Sequence, residues 1–181
     1  MAMFSAKGLE ATTVEGITEQ ADVGKGTFYR HFASKDDITN ALVEEAIDRL
    51  IHRIRGVKTP HQHMEGALGH LLSAHMAFYV ENPTAFVLLQ ARLLARLQQE
   101  TALEPEEPYT RFLNEIAQQI SPYVGGTIDP DKLRRLARAL AGFVSVLYPF
   151  SLIGMPSQEI HNSLEPLQRA FVTCASAFLR Q

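Results

Sequence analysis

Apolar residues recur every three or four positions along nearly the whole chain. Ile38, Leu42, Ala46, Ile47, Leu50, Ile51 and Ile54 form one such stripe, the spacing that lines up side chains on one face of a helix. Gly56 ends it. Met64, Leu68, Leu71, Leu72, His75 and Tyr79 repeat the period, and Asn82-Pro83-Thr84 separates them from Phe86, Leu89, Gln90, Leu93 and Leu97. The spacing predicts a helix, a proline turn and a second helix. Residues 103–108, LEPEEP, read as a loop, after which Tyr109, Leu113, Ile116, Ile120 and Tyr123 make another stripe closed by Gly125-Gly126. Asp129-Pro130-Asp131 opens the next helix, an acid cap followed by proline at the first helical position. Ile160, Leu164, Leu167, Phe171, Cys174 and Phe178 form the last stripe, with Pro166 inside it predicting a kink or a fresh start. No run alternates at period two long enough for a strand. The predicted fold class is all-α.

The first third adds shorter elements. Thr12-Thr13-Val14-Glu15 fits a capping box, in which a Thr hydroxyl and a Glu three residues on satisfy each other's amides. A short helix should begin there, with Ile17 and Ala21 on its inner face. Asp22 stands where the chain must turn sharply, and Asp is among the few residues besides Gly that tolerate the left-handed conformation. A second helix is expected from about Lys25 to Phe32. Phe28 and Phe32 share a face at i, i+4 and can pin that helix to its neighbours. Two short helices joined by a tight turn have helix-turn-helix geometry.

Charge sharpens this. The protein has a formal net charge of −3, yet residues 24–35, GKGTFYRHFASK, hold cations, hydroxyls and aromatics with no acid. A helix that enters a DNA groove needs donors aimed at phosphates and no carboxylate to repel them.

On these residues the chain resembles the TetR family of one-component transcriptional regulators. Gly8, Thr12-Thr13-Val14-Glu15-Gly16-Ile17, Ala21-Asp22-Val23 and GTFYRHFASK at 26–35 carry the resemblance. Asp22 stands where the family usually has Gly, Gly24 where it has Ser and Thr18 where it has a small Ala. The N-terminal MAMFSAKG resembles only the end of the family's first helix, which is therefore expected to be truncated in this sequence. The resemblance implies a helix-turn-helix DNA-binding domain over 1–35 and a helical ligand-binding and dimerisation domain over 36–181. It implies that Lys25, Gly26, Thr27, Arg30 and His31 approach double-stranded operator DNA, with Thr13, Tyr29 and Lys35 on phosphates. It also implies a homodimer formed by the last two long helices.

Composition independently favours a buried partner surface there, because Ala139 to Phe150 is apolar almost all round. Ala139, Gly142 and Val146 on one helix and Phe171, Ala175 and Phe178 on the other are the interface candidates. Effector-binding candidates are polar or aromatic side chains on the apolar stripes: His75, Phe78, Tyr79, Phe86, Gln90, Tyr109, Phe112, Phe143 and Tyr148. Many aromatics without a run of cations suggest a small lipophilic effector.

Other classes are disfavoured. With 46% hydrophobic residues the chain can build a core. Ala139 to Gln158 carries no charge, but prolines and serines interrupt it, so it reads as a buried helix and not a membrane span. MAMFSAKG has no secretory leader pattern, which gives a cytoplasmic location by default. Cys174, the single cysteine, has no cation beside it in sequence to lower its pKa, and is expected to be a small buried hydrophobe. His61/His63 and His70/His75 miss the i, i+4 metal spacing, and no phosphate loop, nucleophile elbow or carboxylate pair appears. No metal, cofactor or enzymatic activity is expected. The functional expectation is a ligand-responsive repressor released from a palindromic operator; the alternative is a helical interaction protein of the same fold with weakened or lost DNA binding.

Overall fold

The computed structural model describes residues 8–9, 11–56, 62–97, 107–124, 129–151 and 159–180. Among them eight α-helices follow in order: α1 (Val14–Gln20), α2 (Lys25–His31), α3 (Lys35–Arg55), α4 (Met64–Glu81), α5 (Pro83–Leu97), α6 (Glu107–Ile120), α7 (Pro130–Ser151) and α8 (Ile160–Arg180). A 3₁₀ turn, Ser121–Tyr123, follows α6. The all-α expectation holds. The reading of a truncated first helix falls mainly on residues 1–7, outside the described residues, as do much of the 103–108 loop and Gly125-Gly126.

The helix ends follow local chemistry. Pro83 opens α5 and Pro130 opens α7, each where the missing N–H costs no intrahelical bond. Asp129 caps α7 by accepting from the Asp131 amide at 2.9 Å. Ser34 caps α3 through the Asp37 amide at 3.1 Å, and the Asp37 carboxylate accepts from the Ala33 amide at 2.9 Å. Pro166 lies inside α8, which is assigned as one helix from Ile160 to Arg180, so no fresh start is seen.

The chain divides into two compact units, one of residues 1–49 with 82–108, the other of 50–81 with 109–181. The sequence reading put its boundary after residue 35, whereas the units divide within α3. In the first unit α1 packs on α2. The start of α3 runs antiparallel to α5, since Arg49 donates to Asn82 at one end and Asp36 lies 4.0 Å from Arg92 at the other. Val43, Ala46, Ile47, Ala85, Leu88 and Leu89 are buried there.

In the second unit α4 packs against both α7 and α8, which also contact each other. Leu68, Leu71, Leu72, Met76, Ile116, Leu140, Val144 and Leu179 fill this core. Helix α4 has ten buried residues and is apolar around most of its circumference, as befits a helix enclosed by neighbours. Arg55 reaches the buried Glu115, and Gln119 donates to the same carboxylate at 2.8 Å. The Arg55 hydrogen bond holds the Glu115 carboxyl below the usual carboxylate range. Among the described residues no helix is long and apolar enough to cross a membrane.

Candidate nucleic-acid interface and buried aromatic cluster

The turn between α1 and α2 is set by backbone hydrogen bonds. The Asp22 amide donates to Glu19 O at 3.2 Å and the Val23 amide to Thr18 O at 3.0 Å, with Asp22 at φ 53°. This is a Schellman closure with aspartate in the left-handed position usually taken by glycine. The expected left-handed Asp22 is therefore present. Thr18 is buried, and its hydroxyl is satisfied within α1 by Val14 O at 3.0 Å and Glu15 O at 2.9 Å.

The expected capping box is different in detail. Thr13, not Thr12, is the N-cap, and its hydroxyl oxygen accepts from the Gly16 amide at 3.1 Å. Counting from Thr13 puts Gly16, which has no side chain, at the position where a box needs its Glu. Thr12 instead donates to Gly8 O at 2.7 Å. Glu15 is left to pair with Lys25 across the turn, and that contact lowers the Glu15 pKa.

Phe28 is the anchor of α2, buried and 5.6 Å from the Phe32 ring. With Phe28 held inward, Lys25, Gly26, Tyr29, Arg30 and His31 are exposed and Thr27 is half-buried. Tyr29 is 57% exposed while its ring stands edge-on to Phe28 at 5.3 Å. Arg30 donates to the Thr27 hydroxyl at 3.2 Å. Helix α2 carries no carboxylate. Lys35, half-buried at the start of α3, donates to Leu9 O at 2.9 Å. The sequence reading missed these engagements of Lys25 and Lys35, because partners 10 and 26 residues away are set by the turn and by tertiary packing.

The effector candidates separate into groups. His75, Tyr79, Phe112 and Tyr148 come together in the second unit from α4, α6 and α7. The His75 ring lies 4.6 Å from Tyr79 and 5.1 Å, edge-on, from Phe112; Tyr79 lies 5.8 Å from Tyr148 and 6.0 Å from Phe78. Phe86 and Gln90 belong to the first unit. Tyr109 is half-buried at the start of α6. The Phe143 ring lies tilted against that of Phe171, centroids 4.6 Å apart. Open surface grooves are lined by Gln62, His63, Tyr123 and Arg180, and by His52, Arg53, His70 and Ser73; none of the effector candidates lines either.

His75 is 1% exposed and neither ring nitrogen has a hydrogen-bond partner. Leaving a buried donor or acceptor unpaired costs about 1–3 kcal/mol. Burial pushes the imidazole pKa down to about 3, so the ring is neutral. Burial raises the Tyr79 hydroxyl to about 12 although Ser145 hydrogen-bonds it, and also raises Tyr148.

The interface candidates divide as well. Ala139, Gly142 and Val146 are exposed along one face of α7, and Phe150, 68% exposed, extends it. On α8, Phe178 is exposed and Phe171 half-buried. Ala175, by contrast, is buried in the chain's own core. Cys174, expected to be buried, is exposed, and Leu167 is 50% exposed. A one-residue step on a helix turns the side chain by about 100°, so a stripe read slightly off register exchanges Ala175 for Cys174.

Residues 1–42 match the family of bacterial regulatory proteins, tetR family. Over 56 residues the chain is 41% identical to the HTH-type transcriptional repressor KstR2 of Mycobacterium tuberculosis, covering 31% of this chain and 28% of that protein. Over 69 residues it is 42% identical to the HTH-type transcriptional regulator TcmR of Streptomyces glaucescens, covering 36% and 30%. The matched stretch thus spans less than a third of these relatives. The fold is similar to that of the TetR family transcriptional regulator PfmR from Thermus thermophilus, with a TM-score of 0.63 and 21% identity over 99% of this chain and 93% of that one. It is similar also to the ketosteroid transcriptional regulator KstR2 of Mycobacterium tuberculosis, with a TM-score of 0.65 and 21% identity over 93% and 88%.

Proposed function

Since the chain belongs to the TetR family of helix-turn-helix proteins, we propose that it is a transcriptional regulator that binds operator DNA through α2 and is released by a small lipophilic effector. The observation that carries this reading is the α2 surface: exposed cations, an exposed Tyr29 and no carboxylate, oriented by the Asp22 turn and the buried Phe28. Lys25, Arg30 and His31 meet the DNA; Thr13, Tyr29 and Lys35 contact phosphates, which fix register without reading sequence. A homodimer through the exposed face of Ala139, Gly142, Val146 and Phe150 with Phe178 presents two α2 helices to half-sites about 34–36 Å apart.

The second unit is the effector domain. Its aromatic cluster supports a lipophilic ligand, and the name of the similar KstR2 protein, a ketosteroid regulator, is in keeping with that chemistry. Helix α3 contributes to both units, so a ligand that shifts its last turns moves the helix that follows the DNA-reading element. Coupling of about 1–3 kcal/mol changes operator affinity about 5- to 150-fold. The regulator is a repressor in this reading.

A second reading, a protein of the same fold with weakened DNA binding, is favoured by two contacts. Lys25 is paired with Glu15, and Lys35 donates to a backbone carbonyl. Selection of duplexes from a random pool by the full chain separates the two: recovery of a twofold-symmetric sequence supports the first, and recovery of none supports the second.

A further inference from the structure

We infer that His75 is the polar anchor of the effector site and that the effector is a neutral, lipophilic molecule bearing a hydroxyl group. This deepens the reading of the second unit as an effector domain and rests on it. His75 is enclosed by the Tyr79 and Phe112 rings, and both of its nitrogens are buried without a partner. Its neighbour Tyr79 is already engaged with Ser145. A Phe or Leu at position 75 would fill this space with no orphaned polar atom, so packing alone does not account for the imidazole.

The missing partner can be described from the ring itself. Neutral imidazole carries one N–H donor and one lone pair. A hydroxyl both donates and accepts, so it meets either nitrogen. A hydrocarbon meets neither, and a carboxylate or phosphate brings a charge into a setting that holds even the imidazole uncharged. Aromatic walls with one well-placed polar group are the usual make-up of a small-molecule site. The rings are closed around His75, so an incoming ligand turns one of them aside.

The test uses the full chain with ¹⁵N-labelled histidine, titrated with 4-propylphenol and with propylbenzene, and no DNA. The expected result is movement of the His75 ring-nitrogen signals on adding the phenol. The phenol also binds about tenfold or more tighter than the hydrocarbon, because a site built around a hydrogen bond rejects the analogue that lacks it. In His75→Phe that preference disappears. Should the variant fail to fold, the wild-type titration decides, with the His75 signals assigned through their proximity to Tyr79. Unmoved ring nitrogens at saturating phenol overturn the proposal, as do binding of neither probe, a preference that survives His75→Phe, and a ring held by an ordered water that the phenol leaves in place. Operator binding is measured separately, so failure of either result leaves the other standing.

Discussion

The helix-turn-helix and the aromatic cluster use the same element type for opposite ends. In the first unit Phe28 points inward so that Lys25, Tyr29, Arg30 and His31 point out; the turn and its anchor lie within a few residues of the side chains they aim. In the second unit His75, Tyr79, Phe112 and Tyr148 point inward together, and three helices distant in sequence must be packed before they meet. A surface aimed by local structure can lose a side chain at little cost to folding. A buried cluster cannot, because its members are both the proposed site and the core.

The sharpest break between the regions is Phe112→Ala. Phe112 is buried against His75, and truncating a buried Phe costs about 3–5 kcal/mol, which urea unfolding of the full chain should register. Arg30→Ala is the opposite case. It should weaken operator binding by about 1–3 kcal/mol while moving unfolding stability by less than about 0.5 kcal/mol.

A pH titration sharpens the contrast further. The folded-state pKa of His75 is depressed to about 3 by burial, against about 6.5 when unfolded. Between these values the unfolded chain binds the extra proton, so stability rises with pH and the contribution is fully present only above about pH 6.5. Tyr79 and Tyr148 beside it have raised pKa values and stay neutral across this window. His75→Phe should therefore remove a slope of about 1.4 kcal/mol per pH unit between about pH 4 and 6, measured as the difference between wild-type and variant unfolding.

The smallest effect concerns the turn. Asp22 occupies φ 53°, where an L side chain is disfavoured and Gly is not. Asp22→Gly should raise the thermal midpoint through a gain of about 1 kcal/mol or less, the relief of the left-handed strain being partly offset by glycine's greater loss of freedom on folding, whereas Asp22→Val should lower it.

How far the sequence could be read follows the same division. The Asp22 turn, the Phe28 anchor, the Asp129-Pro130 start and the helix order were legible because each depends on neighbours within about one turn. The capping box was misassigned by one residue, since Thr12 and Thr13 are equally suited to cap and only the backbone decides between them. The effector candidates take in Phe86 and Gln90 of the first unit as well as His75 and Tyr79 of the second, because periodicity finds the apolar face of each helix and not which faces meet. Cys174 and Ala175 were exchanged for the same reason. The orphaned nitrogens of His75 had no signal in sequence at all: a histidine on an apolar stripe looks the same whether its ring is paired or not.

Whether α2 reads DNA is settled by selection of duplexes by the full chain from a random pool, run beside Arg30→Ala at fixed salt. The expected result is enrichment of one twofold-symmetric sequence whose half-sites lie about 34–36 Å apart, with enrichment reduced in the variant. Enrichment of no sequence by the wild type, or equal enrichment by Arg30→Ala, would contradict it.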